Sequence, residues 1–377
     1  MNARAAAQCA LAGFTLLTSM GVASADSMDP ALERLVSAES AGCRDASGRF
    51  TPVSGSVGWC LPDDAAFKKL MSQWGFAFAP SAMHSARTTG YGGFQLTLEG
   101  AFTQITNGAD YWKRGTRGEA DPQSGRPAFE NTSPASLLQL YSVKLRKGFG
   151  FGLELAGSFG FMPKTELFSG GADVRLALLE GFRTGGFGML PDIAVGGGVR
   201  TVTGTPQFQL TVAAVDAQIS KPITVHDFSV LTPWLGYQHL WIFGDSGLVD
   251  LTPATDAQAY CGYAGSNVPG NPDPRKTISE PGSSEPRPYY DGKPVCTSSA
   301  PDAALDFNNN AVFEHARLER HRLIVGLNYR YEIVLVGAQF VTDIVKPSEA
   351  QSSSDDEAAL TGETRQWSTM FELGAAF

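Results

Sequence analysis

Five histidines invite a first search for chemistry: His84, His226, His239, His315 and His321. An imidazole beside a carboxylate can activate a hydroxyl or a water for hydrolysis if the groups lie within hydrogen-bond reach. His315 and His321 have Glu314, Glu319 and Arg320 as sequence neighbours, so a surface hydrolase or protease built on His321 and a carboxylate is one reading. Most such neighbours are solvated charges, and no GxSxG motif accompanies them. The spaced glycines of FGFGLELAG and GGGVRTVTG fall inside alternating apolar segments, not between a strand and a helix as a nucleotide loop requires. DFNNN at 306–310 opens like a calcium loop but lacks its glycine and closing glutamate. From these patterns we expect no catalytic residue, no metal ligand and no cofactor.

A second set of charges is spaced differently. Glu99, Lys144, Arg146, Glu154, Arg175, Arg200, Gln238, Arg322, Asn328, Arg330 and Glu372 each fall on the less apolar phase of an alternating segment. Acids and bases alternate from one segment to the next. Two outcomes are open: a paired polar core, since an unpaired buried charge is costly, or an Arg-rich aqueous wall favouring anions.

The alternation identifies the elements that carry these charges. In FGFGLELAGSFGF, Phe149, Phe151, Leu153, Leu155, Phe159 and Phe161 share one phase while Glu154, Ala156 and Ser158 take the other. FQLTLEGAF behaves likewise from Phe94 to Phe102. A period of two marks strands. About ten are expected, near 92–104, 136–147, 149–161, 172–183, 191–203, 207–220, 227–243, 316–330, 332–344 and 365–377. Each reaches the roughly 9–11 residues that a tilted membrane-spanning strand needs. No segment has the roughly 18 uninterrupted apolar residues of a spanning helix. The long connections, 105–135, 244–315 and 345–364, all join odd to even strands, which places them at one end. Phe159, Phe161, Trp241, Phe243 and Trp367 fall towards that end, and Phe94, Phe149, Phe151, Tyr329, Tyr331 and Phe377 towards the other.

The chain begins with Arg4, an apolar stretch near Cys9–Leu17 and Ala23-Ser24-Ala25, the three-part pattern of a secretory signal peptide over 1–25. In an oxidising compartment the remaining cysteines suggest two local disulfides, Cys43 with Cys60 and Cys261 with Cys296. Net charge is -9, which argues against general nucleic-acid binding. Residues 26–90 differ from the rest. Asp63 and Asp64 open a helix whose Phe67, Leu70, Met71 and Trp74 share a face. The stretch from Trp74 to Gly92 is apolar and nearly uncharged, so part of 64–90 is expected to plug the periplasmic mouth.

The last residues, MFELGAAF, keep the alternation to Phe377. On Phe371, Leu373, Ala375 and Phe377, residues 91–377 resemble bacterial outer-membrane β-barrel proteins, whose final strand ends on Phe. The resemblance implies that Phe371, Leu373 and Phe377 act as an assembly signal. It also implies outer-membrane lipid, lipopolysaccharide and the barrel assembly machinery as partners. The fold expected is all-β: an antiparallel up-and-down transmembrane barrel of about ten strands (range 8–12) with a short helical N-terminal periplasmic segment. Both termini are expected in the periplasm and the long loops outside, in a monomer. The function expected is non-enzymatic: envelope structure, surface interaction or limited small-solute passage, with the rim hydrolase as alternative. A ten-stranded barrel is nearer the filled than the channel case, so Glu99, Lys144, Arg146, Glu154, Arg175, Arg200, Arg330 and Glu372 are expected to pair in the lumen.

Overall fold

A computed structural model describes residues 27–37, 60–81, 84–119, 130–181, 190–226, 228–251 and 310–377, with four two-residue strands between 262 and 295. Ten long strands carry the fold: β1 (Phe94–Gln104), β2 (Leu137–Gly148), β3 (Leu153–Phe161), β4 (Phe168–Leu179) and β5 (Asp192–Thr203), then β6 (Phe208–Ser220), β7 (Ser229–Ser246), β8 (Ala316–Tyr331), β9 (Val334–Asp343) and β10 (Trp367–Ala376). Each pairs antiparallel with its sequence neighbours, β7 with β8 included. β10 pairs with β1 in the register Gln95↔Ala376 and Leu98↔Leu373, which closes the barrel. Phe377 donates its N–H to Phe94 O at 2.7 Å and accepts from Phe94 N at 2.9 Å, extending that seam by one pair.

Closure removes every sheet edge, as an apolar surrounding requires. The outer face then decides the environment. Leu96, Leu98, Val143, Leu145, Leu155, Val174, Val195, Val215, Leu235, Val325, Val336 and Leu373 are all exposed, and they come from every strand. A continuous apolar belt of this kind far exceeds the patch of a few hundred Å² that soluble monomers tolerate. The fold is a transmembrane β-barrel of the outer-membrane type. Tyr141, Phe161, Phe371 and Phe102 form an aromatic run towards one rim, with Phe102 6.2 Å from Tyr141 and 6.3 Å from Phe371.

Two local expectations are corrected. Phe149 and Phe151 are not on β3. Gly150–Gly152 form a single 3-10 turn, with Phe151 at φ 61° and Gly152 at φ 72°. The glycine relieves the left-handed turn and β3 starts at Leu153. β4 begins four residues before its expected start, at Phe168, because the connection after Phe161 is a tight turn closed by Met162 N to Leu167 O at 3.1 Å.

A larger difference concerns the N-terminal segment, expected at the mouth where β1 starts. Helix α1 (Asp64–Phe78) is capped by Asp63, whose Oδ1 accepts from Ala66 N at 2.9 Å. It lies inside the barrel near the end that carries the long connections. Residues 79–81 and 84–93 then line the lumen towards the start of β1 at the opposite end, where Phe94 meets Phe377. Residues 27–37 cover the barrel beside α1. Met28 N bonds Lys164 O at 3.0 Å, Asp29 Oδ1 accepts from Glu166 N at 2.7 Å, Ala31 N bonds Gly115 O at 2.9 Å and Leu32 N bonds Gln207 Oε1 at 2.8 Å. The N-terminal segment and Phe377 are therefore at opposite ends.

Cys60 is disulfide-bonded. Its expected partner Cys43 lies outside the described residues, as do Cys261, Cys296 and residues 1–25.

Candidate functional site: the occupied lumen

The apolar face of α1 was legible as Phe67, Leu70, Met71 and Trp74, and all four are fully buried. Trp74 stacks on Phe208 of β6 at 4.9 Å and meets Trp112 edge-on at 5.7 Å. Trp112 belongs to α2 (Asp110–Gly115) in the β1–β2 connection. Phe67 stacks on Phe313 at 5.0 Å. The upper lumen wall is apolar to match, with Leu210, Val212, Leu240, Ile242 and Leu318 all buried. Close approach is permitted by two glycines. A Cβ on Gly75 of α1 would stand 2.6 Å from Ile242 Cδ1, and one on Gly244 of β7 would stand 2.8 Å from Met71 Cγ.

The polar face of α1 is buried as well, and the long connections satisfy it. Lys68 Nζ lies 2.9 Å from both Glu314 and Asp356. Asp356 is on the short helix α3 (Ser354–Ala359) of the β9–β10 connection. Gln73 is the hub. Its Nε2 donates to Tyr111 OH at 2.5 Å and Glu363 Oε2 at 2.7 Å, while its Oε1 accepts from Thr106 N at 3.0 Å and Trp112 Nε1 at 2.8 Å. Tyr111 in turn donates to Glu363 at 2.8 Å, and burial, with Glu363 beside it, pushes its phenol well above the usual range. Each polar atom of Gln73 thus holds a connection against the plug.

Below the helix the wall becomes charged and the plug becomes extended. Arg320 of β8 forms a buried bidentate pair with Asp343 of β9 and donates to Ser72 O at 3.0 Å. Arg322 donates to Phe76 O at 3.1 Å and Pro80 O at 3.2 Å, and both guanidinium groups lie over the Phe76 ring, at 4.7 and 4.9 Å. The carbonyls freed at the C-terminal end of α1 are thereby taken up by a cation, the favourable sign for a helix C-terminus. Lys144 Nζ bonds Ser81 O at 3.0 Å, and Ser81 Oγ bonds Glu99 at 2.7 Å. Arg175 donates to Ser85 O at 2.8 Å and contacts His84 Nδ1 at 2.7 Å. Thr88 and Thr89 close the run on Glu180 and Glu154 through their N–H groups, at 3.0 and 2.9 Å.

The expected luminal pairing can be placed residue by residue. Glu99 lies 3.2 Å from Lys144 and 3.5 Å from Arg146. Arg146 lies 4.0 Å from Glu372. Glu154 faces His84 at 3.8 Å, and Arg200 pairs with Asp173 at 2.8 Å. Arg330 is corrected: it is exposed near the turn end of β8 and donates to Glu332 O at 2.8 Å, apart from the network. Asp173, Arg320 and Asp343 belong to the charged lumen but were not singled out. Asp173 and Arg320 share the parity of Arg175 and Arg322, and all three lie within the expected strands, so the alternation alone could have found them. The inward glycines on β5 are explained by charge and not by the plug. A Cβ on Gly198 would stand 2.1 Å from Asp173 Oδ1, and one on Gly196 3.2 Å from Asp216 Oδ1.

Among the described residues, two gaps between plug and wall measure about 20 Å³ each, one beside Pro80 and Lys144 and one beside Phe78 and Arg200. Each admits about one water. A vestibule of about 450 Å³ opens beneath Thr88, lined by Arg87, Glu180, Arg330 and Phe377 among others.

Among the described histidine side chains, His239 and His321 meet and the others stand apart. His84 is buried in the lumen, and His315 sits on the rim 2.5 Å from Asp245, which Arg317 also approaches at 2.8 Å. His321 and His239 are cross-strand neighbours on the outer face, Nδ1 to Nδ1 3.1 Å. Tyr237 OH meets His321 at 2.7 Å, and Glu319 lies 3.3 Å from His239. Glu319 thus faces His239, with His321 on the other side of that imidazole, all on the outside of the barrel, and Ser352 of the β9–β10 connection is bonded to Glu319. Among the described residues, no three His, Cys, Asp or Glu are grouped to hold a metal ion. The side chain of His226 lies outside the described set.

No family model and no curated protein matches this chain. Solved structures with a similar strand arrangement include Ail of Yersinia pestis (10% identity, 76% of this chain and 99% of that one, TM-score 0.24) and Omp33 of Acinetobacter baumannii (8%, 77% and 99%, 0.23). A third is the outer membrane protease OmpT of Escherichia coli (8%, 76% and 95%, 0.19). The barrel assignment rests on the strand register and the apolar belt, not on these likenesses.

Proposed function

We propose that this chain is an integral protein of the bacterial outer membrane whose barrel is sealed by its own N-terminal segment. It acts non-enzymatically, through envelope structure and the surface built at the end bearing the long connections. The observation that carries this reading is the occupied lumen: α1 fills its upper half, and residues 80–81 and 84–89 are bonded along its charged lower half. Solute passage requires this plug to move, so passage is secondary to the surface role. Outer-membrane lipid and lipopolysaccharide are the partners that the apolar belt fits, and the assembly machinery is the partner that the β10 ending fits. The outward placement of His321 and Glu319, on the outer face and away from the lumen, speaks against the hydrolase reading.

Planar-bilayer recording of the refolded protein tests the proposal. Membranes holding the intact chain should carry no steady current. A stable open current from the intact chain would overturn the sealed-barrel reading. Loss of a surface hydrolytic activity in Glu319→Gln and His321→Ala variants would favour the enzyme instead.

A further inference from the structure

The plug enters from the end opposite to the one where β1 begins. Residue 93 and Phe377 are at one end of the barrel, and the cap formed by 27–37 and 60–63 is at the other. Chain continuity between them runs only through the lumen, because β10 closes on β1 and leaves no lateral gap. The cap also bonds to the short connections of its end, through Lys164, Glu166 and Gln207. α1 reaches the three long ones through Glu314, Asp356 and Tyr111. Every connection at that end is therefore held by the N-terminal segment.

Resting on the outer-membrane reading above, we infer that the barrel carries its own N-terminal segment across the membrane, so that residues 27–37, residues 60–63 and the start of α1 form part of the outer surface. The lumen is suited to such a passage. Its lower half binds main-chain carbonyls of an extended chain, at Pro80, Ser81 and Ser85, through Arg322, Lys144 and Arg175. Contacts to backbone oxygens hold whatever side chains pass. The upper half holds a side-chain pattern instead: Trp74 on Phe208, Met71 against Gly244, and Gln73 among the loops. Extended segments slide past the first region, and α1 locks in the second. The lengths suffice: a helix of 15 residues spans about 22 Å, and the extended stretch that follows adds at most about 3.5 Å per residue. Together they exceed the roughly 30 Å hydrocarbon layer.

The test is labelling of single-cysteine additions in cells producing the full chain, with a membrane-impermeant maleimide. Ala65→Cys marks the exposed first turn of α1, Ala358→Cys marks the β9–β10 connection, and Tyr91→Cys marks the opposite mouth, where Tyr91 is 89% exposed. Heat-modifiable gel mobility confirms that each variant has folded, and the unsubstituted chain sets the background. The expected result is modification of Ala65→Cys and Ala358→Cys in intact cells, with Tyr91→Cys modified only after the outer membrane is permeabilised. Modification of Ala358→Cys alone in intact cells would overturn the inference and leave the outer-membrane reading standing. Modification of Tyr91→Cys alone would overturn it by showing the barrel inverted. Failure of all three to react until permeabilisation would defeat the outer-membrane reading itself, and the inference with it.

Discussion

Trp74→Ala should release the plug while leaving the barrel intact. The Trp74 side chain is fully buried, stacked on Phe208 and edge-on to Trp112. Removing a buried Trp or Phe side chain costs about 3–5 kcal/mol. At about 1.4 kcal/mol per tenfold, the undocked population of α1 should rise on the order of a hundred- to several-thousand-fold. Hydrogen exchange of the refolded protein in detergent reads this directly, because local opening exposes α1 amides without unfolding the strands. The expected result is strong loss of protection over Asp64–Phe78 with β1–β10 unchanged. Trp74→Phe is the control. It retains the stack and removes an indole N–H that has no hydrogen-bond partner among the described residues, so it should cost under about 1.5 kcal/mol. Unchanged α1 exchange in Trp74→Ala would refute the reasoning. Parallel loss of strand protection would do so too, since the cluster would then hold the barrel and not the plug.

Other perturbations separate the remaining contributions. Asp343→Leu leaves Arg320 buried without its carboxylate and should destabilise the protein by about 3–5 kcal/mol in denaturant titration, while Arg320→Met with Asp343→Leu should recover most of it. Gly244→Val places methyls where Met71 packs and should cost about 1–3 kcal/mol, read as faster α1 exchange. Gln73→Leu strands Thr106 N and Trp112 Nε1 and removes the bonds to Tyr111 and Glu363, and limited proteolysis should then cut the β1–β2 and β9–β10 connections sooner than in the parent. Deleting Phe377 removes the last pair of the β1–β10 seam and should lower the yield of heat-modifiable protein in the outer membrane. Normal yield would count against Phe377 as an assembly signal.

Alternation carried most of the barrel. Leu96 and Leu98 outward, Thr97 and Glu99 inward, and the seam to Leu373 follow from a period of two and from the lipid outside, which tolerates no polar phase. Boundaries were legible only where a turn residue marked them. Phe149 and Phe151 continue the apolar phase into a turn, and nothing local reveals that Phe151 is at a positive φ. The helix was legible too, through Asp63 and the Phe67, Leu70, Met71 and Trp74 face. Its direction of entry was not. Apolar residues at 74–78 state that burial is needed but not which mouth supplies it. That answer lies in partners distant in sequence, such as Gln73 with Glu363 and Lys68 with Asp356. The luminal charges apart from Arg330 lie on the inward phase that the alternation gives them. Their true work, holding the plug backbone at Pro80, Ser81 and Ser85, was invisible because a carbonyl acceptor leaves no trace in residue type.

The plug's position inside the upper barrel is open to direct measurement with one engineered disulfide, Met71→Cys with Gly244→Cys. A Cβ built on Gly244 stands 3.2 Å from Met71 Cβ, near the roughly 3.5–4.5 Å that a disulfide spans. In membranes prepared without reductant, the double variant should form this intramolecular bond, and α1 should then resist protease until the bond is reduced. Free thiols at both positions under oxidising conditions, with residues 64–90 cleaved as readily as in the single variants, would contradict a barrel sealed by its own helix.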